Sequence, residues 1–323
     1  MKKDKRIPLL VIVGPTASGK TKLSIELAKA LNGEIVSADS MQTYRTMNIG
    51  TAKPTVEEQQ GIKHHLIDCL EPNESFSVAQ YVDAARKIIE DIIHRGKLPI
   101  LTGGTGLYVN TLIDNINFSP APSDETLRQQ LREKAKLEGN GTVLELLREI
   151  DPQTASSLHE NNLGRVIRAI EVYQTTGITM SEQIRRSRMI PSPYDVCILG
   201  LDYADRQVLY NRIGLRVDMM LQDGLMEEAR QVLSQELSAT AAQAIGYKEL
   251  KGFFEGSCTL AEAAENLKQE TRRYAKRQLT WFRRDKRIHW IYCDKAGSFD
   301  KIFEEAMSIV NHWKLCHKET DRT

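Results

Sequence analysis

Eight consecutive residues carry the first chemistry legible in this chain: Gly14, Pro15, Thr16, Ala17, Ser18, Gly19, Lys20 and Thr21, that is, glycine, four residues, then Gly-Lys-Thr. These types at this spacing make a phosphate cradle. Glycines let successive backbone N–H groups converge on phosphate oxygens, and a helix starting just after them turns its positive end to the same anion. Lys20 adds a mobile cation, and the Thr21 hydroxyl can ligate Mg²⁺. The pattern does not name the phosphate compound; ATP or GTP is the default. A nucleotide hydrolase would add a buried apolar strand ending in an aspartate for the metal shell. Residues 98–102 run into Thr102 and glycines instead, which leaves Asp39, after the apolar stretch 34–38, as the carboxylate candidate. An aspartate there can hold metal through water or accept a proton from a nucleophile, and residue type leaves both roles open.

The surrounding elements must bring these groups together. Residues 7–13 form a short apolar run of the kind buried on both faces of a parallel sheet. A helix over 19–31 follows, with Leu23, Leu27 and Leu31 on one face. Residues 34–38 read as a second strand. Ser77 and Gln80 make a capping box for a helix running to Arg95 and stopped by Gly96. Residues 98–102 form a third buried strand, and Gly103-Gly104-Thr105-Gly106 turns the chain into another helix. In such a doubly wound sheet the strand ends gather at one edge, so Asp39 and Thr105 should both lie near the phosphate loop.

From about 114 to 193 the pattern is helical only, over 124–138, 142–150 and 163–176, bounded by Pro120 and Pro122 before and Pro191 and Pro193 after. A strand over 195–202, helices over 206–222, 226–235 and 260–284, a strand over 288–292 and a helix over 299–314 complete the chain. The expected architecture is α/β: a P-loop doubly wound parallel sheet with an all-helical insertion. Residues 1–114 form the first part of the core, 115–194 the insertion, and 195–323 the second part with C-terminal helices.

The composition bounds what this frame can be. The 323 residues carry 44 Lys+Arg against 43 Asp+Glu, a net charge of +1, and 41% apolar residues, which excludes a disordered chain and a uniformly basic coat protein. Charge is nevertheless segregated locally. Residues 272–287 hold eight Lys or Arg and one acid, Asp285, while Arg185, Arg186 and Arg188 cluster in the insertion. Two such clusters in a neutral chain point to a basic face fitted to phosphates. Arg165 and Arg168, three apart on a helix, can address an RNA backbone together. Trp281 and Phe282 are expected in the core. Cys69, Cys197, Cys258, Cys293 and Cys316 show no metal or redox spacing, and His64-His65 and His312/His317 form no ligand set. The apolar run 7–13 is too short for a signal peptide and leads into the glycine loop, and no stretch approaches the roughly 20 apolar residues of a membrane helix, so a soluble, cytoplasmic protein is expected.

Several separated stretches, in order, resemble one family closely, the bacterial tRNA dimethylallyltransferases. They are Gly14 to Thr21; Ala38-Asp39-Ser40-Met41-Gln42 with Tyr44; Asn48-Ile49-Gly50-Thr51-Ala52-Lys53-Pro54; and Thr102-Gly103-Gly104-Thr105-Gly106-Leu107-Tyr108. Arg165 with Arg168-Ala169-Ile170-Glu171-Val172, Gly246-Tyr247-Lys248-Glu249, and Arg273-Tyr274-Ala275-Lys276-Arg277-Gln278 with Trp281 extend the match along almost the whole chain. The resemblance implies that the loop holds the diphosphate of dimethylallyl diphosphate. The acceptor it implies is N6 of the adenosine following the anticodon, in tRNAs that read codons starting with U. It further implies Mg²⁺ as cofactor and an insertion that grips the anticodon stem-loop, in a protein expected to be monomeric with no obligate protein partner.

By the same resemblance, Asp39 is the general base, Arg216 clamps the diphosphate, Thr105 stands at the mouth of the reaction channel, and Gly246, Tyr247 and Lys248 belong to the RNA-binding set. Ser40, Met41 and Gln42 then follow the base directly and are placed to read the adenine, for which the Gln42 amide offers both donor and acceptor. Arg128, Arg165 and Arg168 would hold the surrounding RNA. The chemistry is coherent: an aromatic amine is a poor nucleophile and needs a carboxylate to take its proton, and a diphosphate leaving group needs cations. Two other readings use the same loop, a kinase that phosphorylates a nucleoside or small metabolite with ATP and a nucleotide-regulated RNA-binding protein.

Overall fold

The computed structural model describes residues 6–116 and 123–320, with side chains through residue 315. Pro120 and Pro122 therefore lie outside the described residues, and Cys316 and His317 outside the described side chains. The chain divides into two compact units, Met1–Val109 with Pro193–Thr323, and Asn110–Ser192.

The first unit is built on six parallel strands, β1 (Ile7–Val13), β2 (Gly33–Ser37), β3 (His64–His65), β4 (Leu98–Gly103), β5 (Tyr194–Asp202) and β6 (Ile288–Tyr292), in the order β3-β2-β4-β1-β5-β6. Central β1 is fully buried from Leu9 to Val13, which is why its sequence is continuously apolar rather than alternating. Val13 lies opposite Gly103 on one side and Gly200 on the other, so the turns leaving β1, β4 and β5 emerge at one edge. The chain leaving β1 crosses to β2 on one side, whereas the chain leaving β4 returns to β5 on the other. Ligands of doubly wound sheets bind in the crevice at such a reversal.

Helix Lys20–Leu31 buries Leu23, Ile25, Leu27 and Ala28 against the strands, together with Phe303 and Met307 of helix Phe299–Thr320. Helix Val78–His94 packs on β2 and β4 and opens with the expected capping box, both hydrogen bonds of Ser77 and Gln80 being made. Edge strand β3, only two residues long, falls outside the sequence-based expectation because so short a strand shows no period. His65 Nε2 ties it to the Glu34 carboxylate of β2 at 2.8 Å.

Among its described residues the second unit contains helices and no strand, with helices Glu125–Glu138, Asn140–Ile150, Pro152–Ser157, Leu163–Thr176 and Met180–Arg188. Its core contains Leu131, Val143, Leu147, Val166, Ile167 and Ile170. Helices Pro152–Ser157 and Met180–Arg188 go beyond the sequence expectation. Asp151 caps the first, with Pro152 at its opening position, and Thr179 caps the second.

Candidate active site

The loop between β1 and helix Lys20–Leu31 owes its shape to three residues with positive φ, Gly14 (146°), Ala17 (62°) and Gly19 (93°), which turn successive N–H groups inward. At Gly14 a Cβ would stand 2.5 Å from the Leu201 carbonyl oxygen, so only glycine lets the loop pass this close to the end of β5. The helix has no acidic residue in its first turn, and its positive end faces the loop uncompensated. Arg212, from helix Arg206–Gln222, donates from Nε to the Ala17 carbonyl at 3.0 Å and braces the loop from outside. Among the described residues, the buried Ser18 and Thr102 hydroxyls and the Thr21 hydroxyl have no hydrogen-bond partner.

Asp39 follows β2 and is held by its neighbours: Oδ1 accepts the backbone N–H of Met41 at 2.9 Å and that of Gln42 at 3.4 Å. Oδ2 has no partner among the described residues and stays available to a proton donor. The Thr105 N–H donates to the Ala38 carbonyl at 3.0 Å, and Thr105 Oγ1 accepts the Ser40 N–H at 3.0 Å. The glycine turn after β4 is thus fastened to the Asp39 segment. Its glycines are required by contact, since a Cβ at Gly103 would lie 2.2 Å from the Ala38 oxygen and one at Gly104 2.1 Å from Gln278 Nε2.

Gln278, buried in helix Leu260–Phe282, is the link that sequence reasoning missed. Its Oε1 accepts the Thr16 N–H at 2.9 Å, and its Nε2 donates to the Gly104 carbonyl at 3.1 Å. One side chain therefore sets the spacing between the phosphate loop and the glycine turn. Its position inside a basic motif on a long helix gave no sign of this role.

Three charges converge on the crevice. Burial pushes the half-buried Lys20 ammonium down to about 8, with Asp39 opposing the shift and Arg216 adding to it. Burial also lowers Arg216, against the charges of Glu58 and Asp39. Lys20 meanwhile donates to the Pro15 carbonyl at 2.7 Å, whereas Arg216 has no hydrogen bond or ion pair among the described residues. Two cations that repel each other across a space beside one carboxylate are poised for a polyanion. Aromatic rings close the Asp39 side. Tyr81 and Tyr108 stack at 3.9 Å, and they and the half-buried Tyr274 have phenols pushed up by burial, with Asp39 adding to the rise. These phenols remain protonated near neutrality.

The comparisons with known proteins agree with this geometry. The IPP transferase family model matches residues 42–285. A tRNA dimethylallyltransferase of Acetivibrio thermocellus is 50% identical over 92% of this chain and 95% of its own. The chain belongs to the IPP transferase family. Among solved structures, the full-length tRNA isopentenylpyrophosphate transferase of Bacillus halodurans is similar at a TM-score of 0.74 and 43% identity, covering 98% of this chain and 100% of that one. A eukaryotic dimethylallyltransferase, solved in snapshots of its action on tRNA, gives 0.72 and 31%, covering 85% and 69%.

The residues expected to meet RNA fall into different environments. Arg128 and Arg168 are not free cations. Both pair with the fully buried Glu171, Arg128 Nε at 2.8 Å and Arg168 Nη1 at 2.5 Å, and Glu171 also accepts the Asp124 N–H at 2.7 Å. Burial alone would raise the Glu171 carboxyl, but the bonds from Arg128, Arg168 and Asp124 together hold it below its ordinary value. Arg128 and Arg168 thus help hold the insertion together through Glu171, whereas Arg165 is exposed and has no ion pair among the described residues. Gly246 and Tyr247 are likewise internal. Tyr247 is 2% exposed and its hydroxyl donates to Glu228 at 2.8 Å, which leaves Lys248 alone of the three at the surface. The Gln42 amide donates to the Ala52 carbonyl at 3.1 Å and, more weakly, to that of Thr51 at 3.4 Å.

In the basic stretch, Arg272, Arg273, Arg283 and Arg287 pair with Glu265, Glu270, Asp202 and Asp285, while Lys276, Arg277, Arg284 and Lys286 have no ion pair among the described residues. Asp202, buried at the end of β5 beside the loop, is engaged by Arg206 and Arg283. Phe282 is buried as expected, and Trp281 packs against Gly106.

Proposed function

We propose that this chain transfers the dimethylallyl group of dimethylallyl diphosphate to N6 of the adenosine next to the anticodon, in tRNAs reading codons that begin with U. The reading is supported by the loop after β1, where Lys20 and Arg216 lie within electrostatic reach of each other and of Asp39, whose Oδ2 has no partner among the described residues. The names of the relatives favour allyl transfer over a kinase reaction through the same loop. In the proposed step N6 attacks C1 of the donor, the C1–oxygen bond breaks, and the electron pair leaves with diphosphate. Asp39 Oδ2 takes the N6 proton as the C–N bond forms. The loop N–H groups, Lys20 and Arg216 receive the charge that develops on the leaving group. The aromatic surfaces about Asp39 suit an apolar allyl group and a flat base.

A Mg²⁺ ion fits the donor set. The Thr21 and Ser18 hydroxyls, without partners among the described residues, are hard oxygens at the loop, and Mg²⁺ takes few protein ligands beside phosphate oxygens. Thr21 would hold it, and when bound the ion neutralises charge on the diphosphate. In the insertion, Arg165 would contact the anticodon stem-loop backbone, with residues 115–194 serving as the RNA-gripping region. The test is a single mixture of unmodified tRNA, dimethylallyl diphosphate labelled in the allyl group, and ATP labelled in the γ-phosphate. Allyl label on the tRNA with the γ-label left on ATP is expected. Phosphate transfer without allyl transfer would overturn the reading.

A further inference from the structure

Glu228, in helix Leu225–Leu233, lies far in sequence from Asp39 and the phosphate loop, yet its carboxylate gathers four donors. Oε2 accepts the backbone N–H groups of Asn48 and Ile49, each at 2.9 Å, and Oε1 accepts that of Gly50 at 2.9 Å and the Tyr247 hydroxyl at 2.8 Å. Three successive amides converging on one carboxylate make an anion nest built by the chain for its own side chain. Nothing can be added to the arrangement, because a Cβ at Gly50 would stand 2.6 Å from the Tyr247 ring.

The loop so held leads directly to the acceptor side. After Gly50 come the Thr51 and Ala52 carbonyls that accept the Gln42 amide, and the Gln42 N–H in turn reaches Asp39 Oδ1. The donor side is reached from the same helix. Helix Arg206–Gln222, which carries Arg216, joins Leu225–Leu233 through Gly224 at φ 101°, and Val217, Leu225 and Ala229 share an apolar cluster with Tyr44, Met47 and Tyr247. We infer that Glu228 is a positioning residue: it fixes loop 48–52 so that Gln42 is presented to the acceptor adenine in register with the Arg216 helix. The inference rests on the reading that Gln42 meets that base.

The experiment compares the binding of two anticodon stem-loops, with adenosine or guanosine at the target position, to the full chain and to the Glu228→Gln, Glu228→Ala, Tyr247→Phe and Gln42→Ala variants. The affinity ratio between two RNAs on one protein cancels any general loss of folded protein. Gln42→Ala and Glu228→Ala should each lower the ratio by roughly 10-fold, the worth of one well-placed hydrogen bond. The double variant should fall no further than either single one, because both act through one element. Glu228→Gln, which keeps the shape but sets an NH2 group against backbone donors, should lie between, and inorganic diphosphate should bind within about 2-fold of the parent in all of them. If Gln42→Ala lowers the ratio while the Glu228 variants keep it, the positioning role is wrong and the reading of Gln42 stands. If Gln42→Ala keeps the ratio, the reading of Gln42 fails and the inference with it. Should Glu228→Ala fail to fold, Glu228→Gln and Tyr247→Phe carry the same comparison.

Discussion

The depressed Lys20 makes a quantitative demand on donor binding. Its ammonium, pushed down to about 8 by burial and by Arg216, is the form that meets diphosphate. With that value the side chain is roughly 90% protonated at pH 7 and roughly 10% at pH 9. Since kcat/KM for the donor reports the enzyme before the donor binds, kcat/KM for dimethylallyl diphosphate should fall about 10-fold from pH 7 to pH 9. An ordinary lysine would stay charged through this range. The sign follows from the shift: a lysine with a lowered value loses its charge as pH rises, so donor affinity weakens on the alkaline side. Bound diphosphate restores the proton, and kcat should show no such limb. The Tyr274 phenol, raised by burial, does not titrate in this window. The assay is a pH series from 6.5 to 10, paired with direct titration of inorganic diphosphate. A Lys20→Arg protein, charged at every pH used, should lose the limb in the binding titration. A profile flat to pH 9.5, or a limb unchanged in Lys20→Arg, would refute the reasoning.

Gln278→Ala should leave the Thr16 N–H and the Gly104 carbonyl without their partner, costing about 2 kcal/mol and weakening diphosphate binding; thermal melts and the same titration measure both. Arg165→Ala should weaken all tRNAs alike and reduce the slope of log affinity against log salt by about 1 with Tm unchanged, read by binding at several salt concentrations. Arg128→Ala should do the opposite, lowering stability by about 3 kcal/mol because Glu171 loses a partner while staying buried, as denaturant melts would record. The Glu171 carboxyl, held below its ordinary value, contributes stability that is full above its unfolded value and is lost as pH falls through the folded one. Glu171→Gln should therefore flatten the acid limb of a pH-melt series.

The sheet was legible because its strands are apolar runs punctuated by glycine turns, and the phosphate loop because its backbone geometry demands glycines at set positions. Ser77 and Gln80 announced a helix start that the structure contains. What escaped was set by contacts distant in sequence. Gln278 touches residues 174 and 262 positions away, and Glu228 caps amides about 180 positions away, and no local pattern encodes either. Within the insertion, Glu171 stands three residues after Arg168 on one helix, a local spacing that signals the ion pair the structure contains, whereas the Arg128 pair with Glu171 joins residues 43 positions apart. Tyr247 lies in a polar-looking motif, yet its ring is the floor under Gly50.

On this mechanism Asp39 takes a proton from an amine while the loop and its cations hold a departing diphosphate. The most direct measurement is the single-turnover rate of allyl transfer from labelled dimethylallyl diphosphate to pre-bound tRNA, for the parent and for Asp39→Asn, with tRNA affinity measured on the same preparations. The substituted amide would keep an oxygen for the Met41 N–H but could not accept the N6 proton, so the rate should fall by about 10²–10⁴ while tRNA affinity holds within a few-fold. A variant that transfers the allyl group at nearly the parent rate would contradict the account.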